Sequence, residues 1–197
     1  MLVLICMSSN ESSKPAPNQH QPYTPMGFKM APTKVKCIHF CKHQRCPDPE
    51  LYIGNTPIEV VPKYKFLGVI FDKKHTYKYH ISDLKVSCMK ANNILKVVSH
   101  QSWGADRTTK LRLYRILIRQ KLDYGSIIYG NTKESFLKPL RVVQNSALRI
   151  SLGAFCTSPI ISLEVEANEP PMVLRREQLA MMYMMKIKAV PNNPAHE

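Results

Sequence analysis

Ile81, Leu84, Cys88, Ala91, Leu95 and Val98 recur at alternating intervals of three and four. Only an α-helix turns that spacing into one apolar stripe, because a strand would send half of these residues to the wrong face. The pattern predicts a helix over 78–99, with Lys78, Lys85 and Lys96 off its stripe. What precedes it has a different period. "VKCIHF" (35–40), the two short runs of "LYIGNTPIEVV" (51–61) about Gly54-Asn55, and "YKFLGVIF" (64–71) all read as strands. The change near Asp72 predicts an α+β chain, a short antiparallel β segment followed by a mainly α-helical region.

Downstream the helix signals continue. Asp106 is placed to cap "RTTKLRLYRILIRQKL" (107–122), with Leu111, Tyr114, Leu117 and Ile118 inward and a stop before Gly125. A third helix is expected over about 139–152, between Pro139 near its first turn and Gly153 as its stop. "SPIISLEVEA" (158–167) reads as a short helix opened by Pro159, and "PMVLRREQLAMMYMMKIKA" (171–189) as a last one ended by Pro191. Residues 8–27, rich in Ser, Asn, Gln and Pro, read as linker or disorder, since such a composition buries too little surface to offset chain entropy.

Charge narrows the function classes. The chain carries 28 Lys and Arg against 14 Asp and Glu, a net +14 with a pI near 9.6, which points to a polyanionic partner, nucleic acid first and an anionic membrane surface second. Most of the excess is local: twelve Lys and Arg lie between 73 and 121 against only Asp83 and Asp106. Two adjacent helices with basic outer faces suit a phosphate backbone, whose neutralisation releases counterions; the plainer alternative is a solvated face.

Other motifs exclude more than they assign. No GxxxxGKS loop, GxSxG elbow or HExxH pair is present, and no clustered carboxylates suggest two catalytic magnesium ions. "CIHFCKHQRC" (37–46) has zinc-ligand residue types but no CxxC turn. Cys37, His39 and Cys41 therefore read as core or interface groups on one face of a strand. The six cysteines are expected to be reduced thiols in an intracellular chain, nuclear or cytoplasmic and not secreted. The opening "MLVLICM" lacks a basic flank and is too short to cross a membrane. Trp103 reads as a turn anchor more than a base-stacking platform, and "MMYMM" (181–185) as core more than a partner groove.

"YKFLGVIFD" (64–72), "SHQSWGADRTTKLRLYRILIRQKLDYGSIIYG" (99–130), "QNSALRISLGAFCTSP" (144–159) and "EANEPPMVLRREQLAMMYMMK" (166–186), in this order, resemble the region between palm and RNase H domain in reverse transcriptases of LINE-type, non-LTR retrotransposons, the jockey-like group in particular. The resemblance covers about 27–197. It implies a non-homologous N-terminal segment (1–27), a palm remnant with a primer-grip-like hairpin (28–72), basic thumb-like helices (73–130) and a helical connection (131–197). It further implies that Lys34 lies near the incoming nucleotide and that Phe66, Leu67 and Gly68 grip the primer. Lys78, Lys85, Lys96, Arg112, Arg115 and Arg119 would lie along an RNA or DNA template-primer duplex. Intact relatives use magnesium. The Tyr-Ala-Asp-Asp box has no counterpart in this sequence, so the chain is expected to be a truncated segment of an RNA-directed DNA polymerase, without metal or cofactor and inactive alone. The alternative is a basic helical protein-interaction module with no nucleic-acid role, its protein partner unknown.

Overall fold

In the computed structural model, which describes residues 3–7, 35–41, 47–53, 55–100 and 102–190, the chain divides into two compact units, Met1–Tyr79 and His80–Glu197. Expectations for 8–27, Lys34, His43, Cys46, Gly54 and Pro191 fall outside the described residues.

The first unit is built from short strands: β1 (Val3–Met7), β2 (Lys36–Phe40), β3 (Tyr52–Ile53), β4 (Thr56–Pro57), β5 (Glu59–Val60), β6 (Lys63–Phe66) and β7 (Val69–Asp72). β1, β2 and β5 form a parallel sheet, with Ile5 opposite Ile38 and Cys37 opposite Val60. Antiparallel pairing, the arrangement expected from the sequence, is confined to the β3–β4 and β6–β7 ladders. Cys37 to Cys41 are all buried, on both strand faces, as a central parallel strand requires. Val35, Cys37, Ile53 and Ile58 form a small core against Leu51 and Val60. Cys41 is disulfide-bonded, which corrects the expectation of reduced thiols throughout; Cys37, Cys88 and Cys156 are free.

Asp72 turns the last strand into the first helix. Its carboxylate accepts from Thr76 N (3.0 Å), Thr76 Oγ1 (2.8 Å) and Tyr77 N (2.7 Å). Three charge-assisted bonds hold a tight link in which His75 and Tyr77 both take positive φ, near 52°. The buried Tyr77 phenol is pushed up in pKa by that burial and by the Asp72 charge beside it.

α1 (Lys78–Val98) follows. Ile81, Leu84, Cys88, Ala91 and Leu95 are buried as the spacing predicts, joined by His80 and Asn92; Val98 is only half-buried. The second unit continues with α2 (Arg107–Tyr114), a π-helical turn (Arg115–Arg119), α3 (Gln120–Asp123), α4 (Ser126–Tyr129), α5 (Glu134–Leu152), α6 (Ile160–Ala167) and α7 (Met172–Lys188). Asp106 caps α2 by accepting from Thr108 N and Thr109 N. Gly125 (φ 68°) and Gly153 (φ 66°) supply the left-handed residues that stop α3 and α5. α5 begins earlier than expected, at Glu134, with Pro139 inside it; so near the start, the proline forgoes one backbone bond. Leu140, Ala147 and Leu148 of α5 are fully buried. α5 packs on α2 and α6, and α4 packs on α7, while Asn92 Nδ2 donates to Ser146 Oγ across α1 and α5 (3.1 Å).

The thiols separate sharply in this framework. Cys88 is buried, which pushes its pKa to about 11 despite the nearby Lys121 charge, whereas Cys156 is exposed. Since the thiolate is the reactive species, a maleimide at neutral pH should modify Cys156 rapidly and Cys88 only under denaturant. Equal labelling in mass-mapped peptides would contradict the packing of α1.

Candidate nucleic-acid interface

Lys78, Lys85 and Lys96 are exposed along α1. At about 100° per residue, offsets of seven and eighteen positions return to within about 20° of the starting direction, so one line along the helix carries all three. With a rise of about 1.5 Å per residue the line is about 27 Å long, the length of roughly eight base pairs. Lys90 is exposed on another side of the same helix, and Lys121 donates to Ser87 Oγ at 3.1 Å.

The three arginines of the next helix do not form the expected row. Arg112 is exposed, Arg115 is half-exposed and ion-paired, and Arg119 is buried with 5% exposure. The cause is the π-helical turn, where Gln120 N donates to Arg115 O rather than to the next carbonyl. The wider turn brings Arg119 under Tyr114, five residues earlier, so that both are buried beside Ile118. Burial pushes the Tyr114 phenol up to about 12, with the Arg119 cation opposing.

A buried arginine needs acceptors and counter-charges, and Gln144, Asp123 and Glu169 supply them. Glu169, 8% exposed at its side chain, accepts from Arg115 Nε at 2.7 Å and lies 3.8 Å from Arg119 Nε. Arg119 also donates to Gln144 Oε1 (3.3 Å) and faces Asp123 (3.5 Å), whose other oxygen receives Arg175 Nε and Nη2, both at 3.0 Å. Arg115, with Arg107, also finishes α6. Of its last four carbonyls, Glu164 and Val165 accept from Glu169 N and Asn168 N, Glu166 from Arg107 Nη2 (2.8 Å), and Ala167 from Arg115 Nη2 (3.1 Å). A helix C-terminus that would otherwise be short of donors is closed by cations, which also favour its dipole.

The β6–β7 hairpin presents the other predicted group. Phe66 pairs with Val69 across a two-residue turn, Leu67 (φ 45°) and Gly68 (φ 83°). Successive positive φ values are those of a type I′ turn. Glycine accepts that conformation freely and leucine does so at a cost, yet Leu67 stands 74% exposed at the tip. Among the described residues, no group of three or more His, Cys, Asp or Glu is placed to hold a metal ion, and no helix is long and apolar enough to cross a membrane.

The chain is 27% identical over 126 residues to a probable RNA-directed DNA polymerase from transposon X-element of Drosophila melanogaster, covering 61% of the chain and 13% of that protein. It is 26% identical over 140 residues to the RNA-directed DNA polymerase from mobile element jockey of the same species, covering 68% and 15%, and 26% identical over 151 residues to that of Drosophila funebris, covering 75% and 16%. The chain is similar to RNA-directed DNA polymerases of jockey-type mobile elements. It spans less than a fifth of the length of these relatives. No family model and no solved structure matches it.

Two exposures reverse sequence expectations. Met181, Met182, Tyr183, Met184 and Met185 of α7 are all exposed, where a core helix was expected, and Trp103 is 64% exposed instead of anchoring its turn. Apolar character alone signals burial; whether a neighbour exists to provide it is a tertiary fact that local sequence does not hold.

Proposed function

We propose that this chain is the template-primer grip of an RNA-directed DNA polymerase, binding the duplex backbone without regard to sequence. The observation that carries the reading is the straight line of exposed lysines on α1, in a chain similar to polymerases of mobile elements. Lys78, Lys85, Lys96 and the exposed Arg112 are the backbone contacts. Arg115 and Arg119 act in the fold instead, through Glu169, Asp123 and Gln144. In the same reading Phe66, Leu67 and Gly68 meet the primer end and Lys34 lies near the incoming nucleotide. No catalytic step is assigned to the chain, since the Tyr-Ala-Asp-Asp box has no counterpart in its sequence.

Anisotropy titrations of the full chain with random-sequence DNA duplexes test this. Three to four contacts predict a log-log salt slope of about −2.7 to −3.6, with similar affinity across sequences. A slope near zero would sink the reading. It would leave the second one, a protein-interaction module, which the exposed methionines of α7 favour because Met adapts to irregular partner surfaces.

A further inference from the structure

α1 ends at Val98, and the turn that follows carries one exposed indole, Trp103. Gly104 N donates to His100 O (2.8 Å) and Ala105 N to Val98 O (2.9 Å). The chain folds back so tightly that a Cβ on Gly104 would sit 2.1 Å from His100 O and 2.7 Å from Val98 O, which no side chain survives. His100 is oriented by Ser102, whose N lies 3.3 Å and Oγ 3.0 Å from its Nδ1. On this fixed imidazole Trp103 stacks, ring centroids 5.2 Å apart and planes 17° from parallel. The imidazole covers one face of the indole, and an exposure of 64% leaves the other to solvent.

We propose that Trp103, backed by His100, is a stacking platform for one unpaired nucleobase beside the duplex held along α1. The platform presupposes the backbone contact proposed above. Its place fits: Lys96, the last lysine of the line, lies in the final turn of α1, four residues before His100. A nucleic-acid strand following the lysines is thus led towards the indole. Stacking needs an open π-face and tolerates any base. The hydrogen-bonded turn has already paid the ordering entropy that a floppy aromatic would lose on binding.

Trp103 is the chain's single tryptophan, so its emission reports the event directly. The full chain is titrated with a blunt DNA duplex and with the same duplex carrying a short single-stranded overhang. Quenching by the overhang substrate and little by the blunt one is expected. In anisotropy, Trp103→Ala should weaken overhang binding about 5- to 150-fold while leaving blunt-duplex binding and its salt slope unchanged; Trp103→Phe should recover much of the loss. Salt-dependent duplex binding with emission indifferent to the overhang would overturn the platform and leave the backbone reading standing. No binding of either substrate would overturn both. Should Trp103→Ala misfold, the wild-type quenching still decides.

Discussion

Arg119→Gln should cost the second unit about 3–5 kcal/mol, the usual loss when one member of a buried ion pair is removed. Glutamine cannot return the charge that faces Glu169 and Asp123, and Glu169 is left nearly buried, with Arg115 its remaining cation. Against a total stability of about 5–15 kcal/mol this is a large fraction. In urea unfolding followed by far-UV circular dichroism the midpoint should fall steeply. Arg112→Gln, on the exposed side of α2, should stay within about 0.5 kcal/mol of the parent. The opposite pattern, an Arg119 variant as stable as the parent but with weaker duplex binding and a shallower salt slope, would return Arg119 to the nucleic-acid surface and refute the buried network.

The contrast between these two arginines marks what the sequence could and could not tell. Along α1 the apolar residues keep a 3.6-residue period for about five turns, so both the buried stripe and the lysines beside it were legible. Asp106 and Gly153 were legible as caps because their chemistry acts within a few residues. The π-helical turn has no such local mark. One extra residue in a turn shifts the phase of everything after it, and the partners that hold Arg119 in its new place include Gln144 and Glu169, 25 and 50 residues away in sequence. The strand runs were recognisable from β-branched and aromatic residues, but the parallel pairing of β1, β2 and β5 joins distant segments and leaves no trace in any one of them. Leu67 belongs with these. Nothing about a leucine announces a left-handed residue at a hairpin tip.

The lysine line carries the functional account, and its removal has the largest expected effect on binding. Lys78→Gln, Lys85→Gln and Lys96→Gln together keep the helical propensity of α1 and alter only exposed side chains, so folding should be unaffected. Each lost phosphate contact removes about 0.9 from the salt slope on duplex DNA. Affinity should drop about equally for unrelated sequences, since phosphate contacts carry no base information.

The decisive measurement is the difference in log-log salt slope between the parent chain and this triple variant, on one random-sequence duplex and with unchanged circular dichroism. A reduction of about 2.7 is the result expected if all three lysines meet phosphates. A variant that binds with the parent's affinity and slope would contradict the account, and the lysines of α1 would then be a solvated face and nothing more.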